Sequence, residues 1–329
     1  MFALAAGAPA VARAPGDRGD RTARAAQADQ SDRYALLVQG ASGEDAYATL
    51  HRGWLDKLVT VLRDRLGFDA AHLAVLAEKP KTGEQAATAD NVKAALARLA
   101  TQAKPADVVF IMLIGHGSSD GSEAKFNLVG PDLTVTDWSG LLKPVKGRIT
   151  FVDASSVSFP FLKGLAAPDR VVITATNSGG QRYATVFAAG FIDAFTADVA
   201  DSDKNGRISM LEAFVYASRQ TAQHYEQSNR LATEHSVFDD TGDGVGSDGS
   251  SAGPDGVVAG VTYLDVIAAP KSSDPELQKL LLQQRALNEK LDDLRRRRNS
   301  MPSDVYDREF EQLVAELAAV SREIRRKGG

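Results

Sequence analysis

The stretch Val108-Val109-Phe110-Ile111-Met112-Leu113-Ile114-Gly115-His116-Gly117-Ser118-Ser119 decides how this chain is read. Val108 to Ile114 is apolar at every position and rich in β-branched residues, then stops at a glycine. An amphipathic helix would show polar residues each turn, and a strand with one wet face would alternate, so the run predicts a strand covered on both faces. It falls far short of the roughly 20 residues needed to cross a bilayer. In an open parallel sheet, function collects in the loops just past the carboxyl ends of the strands. His116, held between two glycines at that exit, is therefore a candidate functional residue, because glycine is a costly choice for a mere connector.

On either side of this run, the neighbouring segments repeat the pattern. Tyr34–Gln39, His72–Leu76, Ile149–Asp153 and Val171–Thr176 read as further strands, with Glu44–Leu66, Asp90–Thr101 and Thr185–Val199 as helices between them. Such alternation predicts an α/β domain with a mostly parallel sheet. Phe126–Val129 and Leu133–Val135, around Gly130-Pro131, read as a small hairpin or flap. The strand ending at Asp153 runs into a second polar loop, Ala154-Ser155-Ser156-Val157-Ser158-Phe159-Pro160.

Composition narrows the chemistry. The 329 residues include 38 Lys+Arg against 43 Asp+Glu, a net charge of −5, and no cysteine. That excludes a catalytic thiol, a disulfide framework and a thiolate zinc site. A mildly acidic chain whose one dense basic run, Arg295 to Arg298, lies late in a helix is a poor nucleic-acid binder. His51, His72, His224 and His235 are scattered without a second ligand at metal spacing, and read as helix-surface or loop residues. Trp54 and Trp138 read as core anchors of a helix and of the flap. No glycine loop of the nucleotide-binding kind is present.

The N-terminal segment Met1–Ala14 is small and apolar and ends in Ala12-Arg13-Ala14, like a signal-peptidase site, but lacks a basic start. Export to the periplasm or outside the cell is expected if translation begins upstream. Otherwise the segment is an Ala-rich tail of a cytoplasmic protein.

Past residue 200 the composition changes. Asp201-Ser202-Asp203-Lys204-Asn205-Gly206-Arg207-Ile208-Ser209-Met210-Leu211-Glu212 matches the twelve-residue EF-hand loop at its diagnostic positions. Oxygens for calcium are expected from Asp201, Asp203, Asn205, the Arg207 carbonyl and a bidentate Glu212, with Gly206 at the sharp turn. Asp239-Asp240-Thr241-Gly242-Asp243-Gly244 begins a similar loop but offers Ser250 in place of the glutamate, so it reads equally as a weak second site or as a glycine-rich turn. After a polar linker, Pro270–Asp274, two helices carry a heptad seam: Leu277, Leu280, Leu287, Leu291 and Leu294, then Tyr306, Phe310, Leu313, Leu317, Val320 and Ile324. The break at 299–303 predicts an antiparallel helical hairpin. The expected divisions are 1–32 (signal-like), 33–200 (α/β domain), 201–269 (calcium segment) and 270–329 (hairpin).

The α/β part resembles the caspase–hemoglobinase fold, and within it the bacterial relatives of legumain, the C13 peptidases. The resemblance covers roughly residues 33–200 and rests on Phe110-Ile111-Met112-Leu113-Ile114-Gly115-His116-Gly117-Ser118-Ser119, on the strand and loop after it, and on Val171-Val172-Ile173-Thr174-Ala175-Thr176-Asn177-Ser178-Gly179. It implies a caspase-like, mostly parallel sheet flanked by helices, His116 as the catalytic histidine, and a nucleophile in the loop after Asp153. It also implies a substrate pocket lined by the loop from Asn177 to Tyr183, where Arg182 would select an acidic side chain. The chain departs from the family at the thiol. Aligning Ser158 with the family serine places Ser156 at the nucleophile position, and a one-residue slip places Ser155 there. A serine hydroxyl needs a base in direct hydrogen-bond contact, and Phe159 replaces the family glycine. The expectation is therefore a pseudopeptidase that binds peptide or protein. Two alternatives stand beside it: a serine peptidase using His116 and Ser156, with Asp153 or Asp120 orienting the ring, and a scaffold protein oligomerising through the hairpin.

Overall fold

A computed structural model describes residues 31–250, 253–266 and 272–328. The signal-like segment Met1–Ala14 and part of the 270–274 linker lie outside the described residues. The chain begins with strand β1 (Arg33–Gln39) and helix α1 (Asp45–Thr60), which runs on into a π turn at Val61–Arg65. Then come β2 (Leu73–Ala77), β3 (Gln85–Ala86), α2 (Ala89–Gln102) and β4 (Val108–Ile114). A three-stranded flap follows, built of β5 (Gly117–Ser119), β6 (Ala124–Phe126) and β7 (Leu133–Thr134). Helix α3 (Val135–Leu142), β8 (Arg148–Asp153), α4 (Phe159–Leu165), β9 (Arg170–Thr174), α5 (Phe187–Ala194), α6 (Met210–Gln227) and β10 (Val237–Asp239) complete the body.

The main sheet has seven strands in the order β10-β9-β8-β4-β1-β2-β3. Every pairing in it is parallel except that of β10 with β9. The apolar run of β4 has the physical cause inferred for it. Phe110, Met112 and Ile114 face a layer of α1, α5 and α6, while Val109, Ile111 and Leu113 face the layer of α2, α3 and α4. Each fully buried side chain of that kind contributes roughly 1.5–3 kcal/mol.

Several expected boundaries move. The segment read as strand Leu133–Val135 turns helical at Val135, because Thr134 and Asp137 form a capping box that starts α3, so Trp138 is buried from a helix rather than from the flap. Phe159-Pro160, read as loop, opens α4, where proline in the first turn is favoured. The expected helix Thr185–Val199 is shorter, with a 3-10 turn at Asp198–Ala200 after α5. The boundary at 200 does not separate two bodies. Helix α6 packs in the same core as α5, and β10 supplies an edge strand of the main sheet.

Helices α7 (Pro275–Arg296) and α8 (Ser303–Gly328) form the hairpin, with Asp274 capping α7 through the Glu276 amide. Leu287, Leu291, Leu294 and Val320 are buried along the seam, and Gln284 Nε2 donates to Ser321 Oγ at 3.0 Å. No helix among the described residues is long and apolar enough to cross a membrane.

Candidate functional site

Strands β4 and β8 are neighbours, so the loops that leave their carboxyl ends meet. Gly117 N–H donates to Ser156 Oγ and Ser156 Oγ donates to the Gly117 carbonyl, both at 3.2 Å. A Cβ at Gly117 would lie 2.1 Å from the Ser156 carbonyl oxygen, so only glycine permits this approach. Ser155 Oγ donates to the Ser156 carbonyl at 3.1 Å. Ser155 and Ser156 are 0% and 2% exposed, which removes both hydroxyls from a bound chain's reach. A hydroxyl has one proton, and here each gives it to a backbone carbonyl.

The next layer fixes this loop. Val157 sits at φ 59°, a left-handed conformation strained for a β-branched residue, and its N–H donates to the Gln181 carbonyl at 3.0 Å. Ser158 Oγ and Thr176 Oγ1 are 3.0 Å apart, and the Phe159 amide donates to Thr176 Oγ1 at 2.9 Å. Gln181 also holds His235, with Nε2 and Nδ1 2.6 Å apart. Asn177 and Arg182 lie on that same loop and are exposed, Arg182 making a single 3.4 Å contact with the Gly179 carbonyl. Beneath the serines, Asp153 Oδ1 accepts from Ser155 N–H at 3.0 Å, while Oδ2 is buried without a partner. The expectation that Asp153 orients the histidine ring is not met, since its hydrogen bonding goes to Ser155. Burial pushes its carboxyl up to about 7, against the pull of the Ser155 hydrogen bonds.

His116 is turned toward α1. Its ring packs edge-on against Tyr47 at 4.8 Å and against His51 at 5.1 Å between centroids, and no hydrogen bond joins it to Ser155 or Ser156. Asp120 is occupied elsewhere, accepting from Ser122 and Lys125. Burial lowers the pKa of His116, partly offset by the Ser42 backbone and by the carboxylates of Glu44 and Glu78. His51 is no surface residue: it is 2% exposed, its Nδ1 lies 3.2 Å from Ser42 Oγ, and burial together with His116 lowers it to about 4. Gln39 Nε2 donates to Ser42 Oγ at 3.2 Å, and the Ser42 amide donates to Glu78 Oε1 at 3.3 Å. Sequence reasoning missed this set of Ser42, Tyr47, His51 and Glu78.

The acidic loop brings one oxygen each of Asp201, Asp203 and Glu212 within 4.8 Å of one another. Oxygens around one calcium at 2.3–2.6 Å lie no more than about 5 Å apart, so the spacing and the all-oxygen donor set fit that ion. Asp201 accepts the Asn205 and Gly206 amides, Asn205 Oδ1 accepts the Arg207 amide, and Gly206 takes φ 82°. Glu212 closes the loop by accepting Ser202 N–H and Ser209 N–H, both at 2.9 Å. Burial would raise its carboxyl, but the Ser209 and Ser202 donors outweigh this and lower it. The Ser209 segment pairs antiparallel with Tyr263, and the Arg207 guanidinium lies over the Tyr263 ring and bonds Asp265 at 2.8 Å.

The buried carboxylates of the second acidic turn already accept backbone amides, from the turn itself and from the segment at 256–259. Asp239 accepts from Thr241, Gly242 and Gly244, Asp240 from the Gly256 and Ala259 amides, and Ser250 bonds Asp248 instead of joining them.

No protein-family model matches the chain, and no curated protein matches it. Among solved structures it is similar to a protein of Geobacter sulfurreducens, at 13% identity and a TM-score of 0.41, over 63% of this chain and 92% of that one. It is also similar to the Drosophila initiator caspase Dronc, at 10% identity and a TM-score of 0.38, over 65% of this chain and 81% of that one.

Proposed function

We propose that this chain is an exported legumain-like peptidase homologue that has lost its nucleophile and binds peptide or a protein partner at the carboxyl ends of β4, β8 and β9. The observation that carries this reading is the burial of Ser155 and Ser156, each with its proton given to a backbone carbonyl. Serine catalysis needs an accessible hydroxyl with a base in contact, and His116 makes no such contact. What remains around the site is a recognition surface, with Asn177 and Arg182 exposed on the loop after β9 and Tyr183 70% exposed beside them.

Calcium would be held by Asp201, Asp203, Asn205, the Arg207 carbonyl and Glu212, supplying positive charge that pins the loop to the start of α6. Its role would be structural: the carboxylates would hold the ion, and the capping box of Ser209 and Glu212 would carry that order into the helix.

The test is a diverse fluorogenic peptide library incubated with the folded protein and calcium, scored for both turnover and polarisation. The expected result is saturable binding of a subset of peptides, weakened by Arg182→Ala, with no turnover. Turnover lost in Ser155→Ala or Ser156→Ala would establish the serine peptidase instead.

A further inference from the structure

At the opposite end of the sheet, the amino-terminal ends of β1, β4 and β8 and one side of α7 enclose a cavity of about 470 Å³. Four carboxylates of its wall already face an arginine. Asp265 pairs with Arg207 at 2.8 Å, Glu289 with Arg285 at 2.8 Å and Asp293 with Arg297 at 2.9 Å, and Asp292 faces Arg295 at 3.7 Å. Arg33 spends its donors on the Leu66, Leu264 and Gly67 carbonyls, and beside it the wall carries Asp32 and Asp69, the latter accepting the Ala71 amide.

Arg148 at the start of β8 and Arg296 at the end of α7 are left over. Each anchors one nitrogen, Arg148 Nη2 on the Ala106 carbonyl at 2.7 Å and Arg296 Nη1 on the Val261 carbonyl at 2.8 Å. Among the described residues neither pairs with a carboxylate, and the Nε of each is buried without a partner. Burial lowers the pKa of both guanidiniums; for Arg148 the carboxylates of Asp293, Asp107 and Glu289 offset this in part, and for Arg296 repulsion from Arg148 adds to burial while Asp292 and Asp293 offset it. Those carboxylates act from beyond ion-pair distance, so both guanidiniums keep unpaired donors beside the open space of the recess, which an anion lying between them would satisfy.

We propose that this cavity binds a phosphate group, held between Arg148 of the sheet and Arg296 of the hairpin. A phosphate dianion cancels both charges, and its oxygens match two guanidinium forks better than one carboxylate can. Its two holders come from different parts of the chain, so the bound group ties the hairpin to the α/β body.

The experiment is thermal unfolding of the full chain in chelator, with inorganic phosphate or glycerol 3-phosphate against chloride at matched ionic strength. A rise with both probes marks free phosphate as sufficient, and a rise with the monoester alone marks a phosphoryl group on a larger molecule. Ligand at a hundred times its Kd raises the folded-to-unfolded ratio about a hundredfold. Arg148→Met and Arg296→Met each abolish that rise. Each variant also loses one hydrogen bond to a backbone carbonyl, so its rise is read against its own chloride baseline, and this separates lost binding from lost folding. No rise with either probe, or an undiminished rise in both variants, would overturn the proposal.

Discussion

Replacing Asp153 by asparagine isolates one buried proton. The carboxyl stands near 3.8 in the unfolded chain and is pushed up to about 7 by burial at the end of β8. The folded state therefore binds this proton more tightly than the unfolded state. As pH rises past about 4 the unfolded chain gives up its proton first, and stability falls until the folded pKa is passed near 7. At about 1.4 kcal/mol per pH unit, the interval amounts to roughly 4 kcal/mol lost by the wild type between acid and neutral pH. In Asp153→Asn the amide side chain keeps the oxygen that accepts the Ser155 N–H and has no proton to lose. Its nitrogen meets the same unpartnered surroundings as Oδ2, a cost of about 1–3 kcal/mol that does not vary with pH. Other groups titrate over the same range. Glu234 is also raised to about 7, by burial, and His51 acts with the opposite sign. The difference between Asp153→Asn and wild type cancels them. Urea unfolding at half-unit intervals from about pH 4 to about pH 8 is the assay, read as midpoint and slope. The variant is expected to gain on the wild type steadily up to about pH 7 and then to run level. Parallel curves across the whole range would rule this out, because they would mean that Asp153 is ionised or solvated in the folded protein.

Three further outcomes follow from the same geometry. Gly117→Ala forces apart the loops after β4 and β8 and breaks both Gly117–Ser156 hydrogen bonds, so unfolding free energy should drop by about 2–4 kcal/mol in denaturant titration; a loss under about 0.5 kcal/mol would mean the loops are not locked. Calcium should raise the melting temperature of the wild type, and Glu212→Gln should remove the rise, whereas identical curves with calcium and with chelator would defeat the metal assignment. His51, lowered to about 4 from 6.5, contributes stability that is present above pH 6.5 and lost as pH falls towards 4. His51→Gln should accordingly lose less stability than wild type on acidification, and calorimetry at the two ends of that window reads it.

The sheet was legible in the sequence because a strand buried on both faces has nowhere to put a polar residue, and Val108–Ile114 contains none. The strand-end loops were legible for a related reason, since glycines on both sides of His116 and three serines after Asp153 are odd choices for plain connectors. What failed to show was non-local or short. β10 is three residues paired antiparallel to β9 from far along the chain, with no local periodicity to mark it. α3 follows directly on β-branched residues that favour a strand, and only the Thr134–Asp137 capping spacing signalled a helix. His51 was within reach: with Leu55 and Leu58 it makes an i, i+4, i+7 stripe, and all three are buried on one face of α1. No sequence pattern marks Ser42 and Glu78 as its neighbours, because β1 and β2 bring them there through sheet pairing. The second acidic turn could not be read from composition at all, since backbone amides, which carry no sequence signature, decide that its carboxylates are already satisfied.

If the hydroxyls after β8 are sealed and have no base, they should be inert to reagents that find active serines. A fluorophosphonate probe reacts covalently only with a serine that is both accessible and activated, so labelling of the folded protein, followed by peptide mass spectrometry, reads this out residue by residue. Ser155 and Ser156 are expected to stay unmodified in the presence of calcium. Stoichiometric label on either one, lost in His116→Ala, would show instead a working serine nucleophile with His116 as its base.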